Sequence, residues 1–127
     1  MIALEVVNRQ PSSRWYSRSG LFRPVYLLGT ETGGFAAYDL AVTAPNLETE
    51  HAGAVATHIA GKIMNFGAAG SRTVKVSIQK DGAEVGSAQN ALTLAAGENA
   101  LAMDVSVSAP ALWDVGKPNL YTATVEI

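Results

Sequence analysis

Near the middle of the chain, nine residues alternate between polar and apolar side chains and run into a turn: Arg72-Thr73-Val74-Lys75-Val76-Ser77-Ile78-Gln79-Lys80-Asp81-Gly82. This period of two is typical of a β-strand with one buried face. It predicts that Val74, Val76 and Ile78 point into a core. Asp-Gly favours the two-residue turn of a β-hairpin, because both turn positions need a positive φ. We therefore predict a strand over 72–80 that turns back at Asp81-Gly82.

Similar β-prone segments recur on both sides of that hairpin at roughly 12–15-residue spacing, with turns rich in Gly, Pro and Asn between them. No segment shows a helical period. The predicted strands are 22–28, 35–43, 54–64, 72–80, 84–94, 101–107 and 120–127. They indicate an all-β fold, a two-sheet sandwich of about seven antiparallel strands. A barrel is the alternative, but the long connection over 112–118 suits a crossing between two sheets better.

Composition excludes several function classes. The chain has 127 residues, the usual size of one domain, and a net charge of -2, whereas nucleic-acid-binding domains and polybasic membrane contacts are strongly basic. It has no cysteine, so disulfides and thiol chemistry are excluded. No apolar run approaches the length of a membrane span, and the first residues are too short and too acidic for a signal peptide. Cytoplasmic, periplasmic and secreted locations all stay open.

Two strings carry a family resemblance. Arg14-Trp15-Tyr16-Ser17, Ser19-Gly20-Leu21-Phe22-Arg23 and Pro24-Val25-Tyr26-Leu27 together resemble the "W-Y-S-G-S-G-I-Y-R-x-V-x-L" string of glycoside hydrolase family 2, the β-galactosidase and β-glucuronidase group. Pro110-Ala111-Leu112-Trp113-Asp114 and Lys117-Pro118-Asn119-Leu120-Tyr121 resemble its "P-x-L-W-S-x-x-x-P-x-L-Y" string. In that family the first string joins a jelly-roll sugar-binding domain to an immunoglobulin-like sandwich. The second introduces the last strand of the sandwich before the catalytic barrel.

The resemblance implies a domain organisation and a role. Residues 1–20 are expected to be a tail or linker similar to the end of the jelly roll, whose alternating segment over 2–7 is a strand without its sheet. Residues 21–127 are expected to form the immunoglobulin-like β-sandwich. The chain alone is then not an enzyme, because the barrel that carries both catalytic glutamates in that family is absent from it. Its partners would be the jelly roll and the barrel of one β-galactosidase-like polypeptide.

The aromatic and arginine residues of the two strings are the candidate site. Arg14, Trp15 and Tyr16 could contact a sugar, since aromatic faces stack on sugar C–H groups, and Arg14 holds the position from which the family reaches the substrate. The structural alternative, which we favour, is that Trp15, Tyr16, Arg23 and Trp113 pack between domains; a guanidinium suits interdomain pairing. A free-standing carbohydrate-binding or scaffold module remains the alternative for the whole chain, with β-linked carbohydrate or a second copy as its partner.

Other polar residues give little sign of chemistry. Glycoside hydrolysis needs two carboxyl groups at a defined separation, and only Glu48 and Glu50 share a loop; solvated acids are the ordinary interpretation. His51 and His58 have no recognised metal-ligand spacing, so we expect surface histidines and no metal site. The glycines precede strands and form no phosphate loop. No cofactor is expected.

Overall fold

The computed structural model describes residues 3–7, 20, 23–27, 29–36 and 38–127. Within those ranges the chain forms seven strands and one short helix. In chain order they are β1 (Gly33–Phe35), β2 (Ala41–Thr43), α1 (Leu47–Glu50), β3 (Ala54–Asn65), β4 (Gly70–Lys80), β5 (Ala83–Leu94), β6 (Gly97–Ser108) and β7 (Thr122–Glu126).

The strands form two antiparallel sheets that face each other. In the first sheet β3 is central, with β6 on one side and β1 and β2 in tandem along the other. In the second sheet β4 is central, between β5 and β7. The chain crosses between sheets after β3, β5 and β6, which gives the Greek-key connectivity of an immunoglobulin-like sandwich. The predicted fold class is confirmed.

The core lies between the sheets and comes from the alternation seen in the sequence. Val74, Val76 and Ile78 of β4 are buried, as predicted, while Thr73 and Lys75 are exposed. They pack with inward residues of the opposite sheet, listed here: Ile59, Ile63, Leu101, Met103, Val105 and Val107. Because only one face of each sheet is apolar, the two faces have to meet.

The predicted hairpin is also confirmed. Lys80 of β4 pairs with Ala83 of β5, leaving a two-residue loop. Asp81 and Gly82 have φ angles of 51° and 82°, so both occupy the left-handed region that a two-residue hairpin turn requires.

The strand predicted over 22–28 is wrong for the residues that the structure describes. Residues 23–27, within the strand predicted over 22–28, lie outside any strand, and Val25, Tyr26 and Leu27 are exposed. Residues 3–7 belong to the segment 2–7 that was expected to be a strand without its sheet; they are exposed and lie outside any strand. Side-chain composition predicts extended backbone, but a strand also needs a neighbour to accept its hydrogen bonds, and Pro24 has no backbone N–H to donate.

The strand predicted over 35–43 is divided in two. β1 and β2 pair with the same edge of β3, and Tyr38, with a φ of 59°, interrupts the extended backbone between them. The chain there passes close over Gly61 of β3, where an added Cβ would lie 2.8 Å from Leu40 Cδ2 and 3.0 Å from the Asp39 carbonyl oxygen. The loop predicted over 44–53 contains the helix α1.

Candidate functional site

The connection between β6 and β7 contains an exposed turn that is held by its own hydrogen bonds. The Asp114 and Lys117 backbones exchange two hydrogen bonds, of 3.1 Å from the Asp114 N–H and 3.0 Å from the Lys117 N–H. The Asp114 carboxylate accepts a third bond, of 2.7 Å, from the Val115 N–H. Gly116 completes the turn with a φ of 82°. These bonds fix the backbone on both sides of Trp113 and Val115 before any partner is present.

Two side chains fasten the same connection to the sandwich. The Tyr121 hydroxyl, at the start of the last strand, accepts a 2.8 Å bond from the Ala111 N–H and donates a 3.3 Å bond to the Ala111 carbonyl. The Asn119 amide donates a 2.8 Å bond to the Leu112 carbonyl. Both polar groups are therefore used within the chain. A Tyr and an Asn beside a long connection were visible in the sequence, but their backbone partners were not.

A groove of about 440 Å³ opens between this connection and the β2–α1 corner of the first sheet. Val55, Ile78 and Val107 of the core form its floor. Its walls are mainly apolar and are formed by Val42, Ala44, Leu47, Pro110, Ala111, Leu112, Trp113, Tyr121 and Ala123. Thr57 and Asn119 complete the lining. Because the lining is mainly apolar, and the Tyr121 hydroxyl and the Asn119 amide N–H already have backbone partners, the groove suits an apolar occupant better than a polar one.

Apolar side chains also surround the mouth of the groove. Trp113 is 61% exposed, Val115 84% and Leu120 71%. We call Leu112, Trp113, Val115 and Leu120 the connection patch. Four large apolar residues on one fastened segment are more than the scattered apolar residues of an ordinary surface, and such concentrations mark interaction sites.

The predicted site residues fall in different places. Arg14, Trp15 and Tyr16 lie outside the described residues. Arg23 is described and lies on the surface. Trp113 belongs to the connection patch and lines the groove. The assignment of Trp15, Tyr16, Arg23 and Trp113 to one interface therefore stays a prediction.

The acidic and histidine candidates are engaged in local surface contacts. Glu48 and Glu50 are exposed on α1, where Glu50 accepts a 3.2 Å bond from the Asn46 amide. The His51 ring contacts the Glu48 carbonyl at 3.0 Å. His58 pairs with Asp104 across β3 and β6 on the outer face of the sheet. Within the described ranges, no three His, Asp or Glu side chains are grouped so that they could hold a metal ion.

Two lysines form exposed ion pairs. The ammonium group of Lys62 lies 3.1 Å from the carboxylate of Glu98, and this hydrogen bond raises the pKa of Lys62 above its ordinary value of 10.5. The ammonium group of Lys80 lies 2.7 Å from the carboxylate of Asp81, with the same effect on its pKa. Exposed pairs of this kind contribute little to stability. No helix in the described part is long and apolar enough to cross a membrane.

Comparison with known proteins assigns the family. A sequence model described as glycosyl hydrolases family 2 matches residues 39–127, which is more than half of the chain. The chain belongs to glycosyl hydrolase family 2. The matched range includes β2 to β7, the groove and the connection patch, and so confirms the resemblance drawn from the sequence. A search of curated proteins gave no significant match.

Solved structures support the fold. A glycosyl hydrolase family 2 member from Bacteroides cellulosilyticus DSM 14838 is similar with a TM-score of 0.66 and 21% identity, over 73% of this chain and 13% of that one. A β-glucuronidase from glycoside hydrolase family 2 is similar with a TM-score of 0.59 and 18% identity, over 69% of this chain and 9% of that one. The chain thus spans only a small part of the length of these relatives.

Proposed function

We propose that this chain is the non-catalytic immunoglobulin-like domain of a β-galactosidase-like family 2 glycosidase. In this role it positions a sugar-binding jelly roll and a catalytic barrel of the same polypeptide for hydrolysis of β-glycosidic bonds. The observation that carries the proposal is the connection patch, an exposed apolar surface within the part of the chain that matches the family. The small share of the solved relatives that this chain spans supports further domains beside it.

The rigidity of the patch fits a positioning role. The turn at 114–117 and the Tyr121 and Asn119 bonds hold the patch in place without a partner. A preformed surface loses little conformational entropy on docking. A domain that docks in one orientation can keep a neighbouring active site in register, and small misplacements there reduce the rate strongly. We also assign Arg23, Trp15 and Tyr16 to this joint; the alternative is that Arg14, Trp15 and Tyr16 contact the substrate.

The test is enzymatic and uses the longest polypeptide encoded by the gene. We expect it to hydrolyse aryl β-galactosides or β-glucuronides, whereas the 127-residue chain does not. Trp113→Ala in the long polypeptide should lower kcat/KM by about 10- to 100-fold, because the barrel and its neighbours lose their register. Phe66→Ala is the matched control: Phe66 is 64% exposed, but it follows the opposite end of β3, and its loss should leave kcat/KM unchanged.

Two results would contradict the proposal. One is turnover by the 127-residue chain that Glu48→Gln or Glu50→Gln abolishes. The other is binding of β-linked oligosaccharides by this chain that Trp113→Ala abolishes, measured by titration calorimetry. The second result would instead make the chain a carbohydrate-binding module.

A further inference from the structure

The outer faces of the two sheets, which point away from the core, differ in composition. Directly opposed residues of neighbouring strands share a face, so the strand register assigns each side chain to the core or to the outside. On the second sheet the outer face is mainly polar, as is typical of a sheet face in contact with water. It carries Thr73, Lys75, Gln89, Thr93, Thr124 and Glu126.

On the first sheet the charged residues of the outer face are segregated by strand. His58 of β3 pairs with Asp104 of β6, and the ammonium group of Lys62 of β3 lies 3.1 Å from the carboxylate of Glu98 of β6. In both pairs β3 therefore supplies the basic residue and β6 the acidic one. The His58 ring uses Nδ1 for this contact, so that Nε2 points to a further partner.

Only alanines lie between these two pairs on β3 and β6. Ala60 of β3 is directly opposite Ala102 of β6, and both are exposed. Alanine side chains rise little above a sheet, so a second flat surface can approach more closely here than the separation of about 10 Å that is usual between packed sheets. We call His58, Ala60, Lys62, Glu98, Ala102 and Asp104 the β3–β6 face.

We propose that the β3–β6 face binds the same face of a second copy of this chain. The two-fold axis runs parallel to β3 and β6 and midway between them. Such an axis places β3 of each copy over β6 of the other, and the contact is made twice. Ala60 then packs on Ala102 of the second copy. The association does not depend on the proposed function, since every residue that carries it belongs to this chain.

Charge complementarity favours a second copy over a different partner. In this arrangement His58 faces Asp104 of the second copy, and Lys62 lies one diagonal position from Glu98 of the second copy, as it does within its own chain. Both residues are two positions from Ala60, or about 7 Å, so the crossing of about 30° between packed sheets displaces them by only about 3–4 Å. A different protein would have to present an acidic and a basic stripe at the spacing of adjacent strands.

The size of the face indicates a weak dimer. β3 and β6 have 12 residues each. At about 3.3 Å per residue and about 4.8 Å between strands, they and the short β2 beside them present about 400–500 Å² per copy. The total of about 900 Å² is in the range of weak, transient complexes. We therefore expect an equilibrium between monomer and dimer.

Sedimentation equilibrium of the 127-residue chain tests the association. Its mean mass should rise from 13.2 kDa towards twice that value between about 10 µM and about 1 mM. Ala60→Glu should weaken the dimer at least about tenfold, because it sets a carboxylate over the acidic β6 of the second copy. Ala91→Glu is the matched control: Ala91 is also exposed, but on the outer face of the second sheet, and its substitution should leave the dimer intact.

A pair of charge reversals tests the two-fold arrangement itself. In Lys62→Glu both positions of the pair are acidic, and in Glu98→Lys both are basic. Each variant therefore repels a copy of itself and should associate at least about tenfold more weakly than the unmodified chain. An equimolar mixture restores opposite charges at both contacts and should associate within about threefold of the unmodified chain. Both side chains are exposed, so the fold should be kept, and circular dichroism checks this.

Several outcomes would overturn the inference. One is a chain that stays at 13.2 kDa up to about 1 mM. A second is a dimer that Ala60→Glu leaves intact, and a third is a mixture of the charge-reversed variants that associates no better than either alone. If Ala60→Glu does not fold, the charge reversals still decide.

Hydrogen exchange measured by mass spectrometry distinguishes a second copy from a neighbouring domain. In the longest polypeptide encoded by the gene, peptides that cover 98–104 should exchange more slowly as the protein concentration rises. Protection of 98–104 that is already complete in the monomeric long polypeptide would assign the face to another domain and overturn the inference. Glycosidase activity is measured separately, so a failure of the dimer and a failure of the proposed function are distinguishable.

Discussion

Apolar side chains are buried to different extents on two sides of the sandwich. One side is bordered by β5 and β6, and the other is bordered by β7. On the first side the inward residues of β6 are buried and the two strands pack against each other. On the second side a groove opens, and Trp113, Val115 and Leu120 remain in contact with water. The first side holds the domain together. The second has apolar surface that stays exposed in the folded domain. Residues that stabilise the domain therefore lie on the first side, and residues available for docking a neighbouring domain lie on the second.

The largest effect on stability is expected when a core residue is truncated, and it is compared with the same truncation in the connection patch. Ile59 is 1% exposed and lies between the sheets, so Ile59→Ala should lower the free energy of unfolding by about 2–5 kcal/mol through lost burial and a cavity. Leu120→Ala removes a similar volume from a water-exposed surface and should change the free energy of unfolding by less than about 0.5 kcal/mol. Urea denaturation followed by circular dichroism measures both values.

Similar losses of unfolding free energy in Ile59→Ala and Leu120→Ala would contradict the difference between the two sides. They would mean that the patch is part of the stabilising core and that no separate docking surface exists. In the long polypeptide the two variants should differ less in their loss of unfolding free energy, because Leu120 would then be covered by a neighbouring domain.

A smaller effect is expected where β5 meets β6. A Cβ added at Gly86 would lie 2.6 Å from the Ser106 carbonyl oxygen and 3.0 Å from Val105 Cγ1, so the two strands would have to separate. Gly86→Ala should therefore cost about 1–3 kcal/mol, as overpacking does. At Gly67 the nearest atom to an added Cβ is Asn65 Oδ1 at 3.6 Å, so Gly67→Ala is the control and should be nearly neutral. Equal stability of Gly86→Ala and the unmodified chain would show that this side is not tightly closed.

The sequence predicted the side bordered by β5 and β6 (the closed side) better than the side bordered by β7 (the open side). Val74, Val76 and Ile78 alternate with polar residues, and Asp81-Gly82 is a strong turn signal, so local chemistry alone places β4 and its hairpin. The division of β1 from β2 could not be predicted, because the space that Asp39 and Leu40 occupy is provided by Gly61 on another strand. Likewise, nothing in the β-prone composition of residues 23–27 shows that they lie outside any strand.

Among the residues of the groove and the connection patch, only Trp113 was predicted from the sequence as a site residue, and the geometry around it was not predicted. Trp113 was expected at an interface from its string, and it lines the groove. The role of Tyr121 depends on the distance between its hydroxyl and the Ala111 backbone, ten residues earlier. Such contacts between a side chain and a remote backbone leave no periodic signal in a sequence, whereas burial does.

The smallest effect is expected on the open side. It comes from a variant that tests whether the bonds between Tyr121 and Ala111 hold the connection between β6 and β7 in place. Tyr121→Phe removes the hydroxyl that bonds both the N–H and the carbonyl of Ala111. These backbone groups are exposed and water can replace the hydroxyl, so the free energy of unfolding should fall by only about 0.5–1.5 kcal/mol. The more informative readout is local. Amides of residues 111–115 should exchange faster in Tyr121→Phe, while those of β3 and β6 keep their protection, since the bond holds the patch and not the core. Faster exchange throughout the sandwich would instead make Tyr121 a structural residue of the whole domain, and the two sides would then be one cooperative unit.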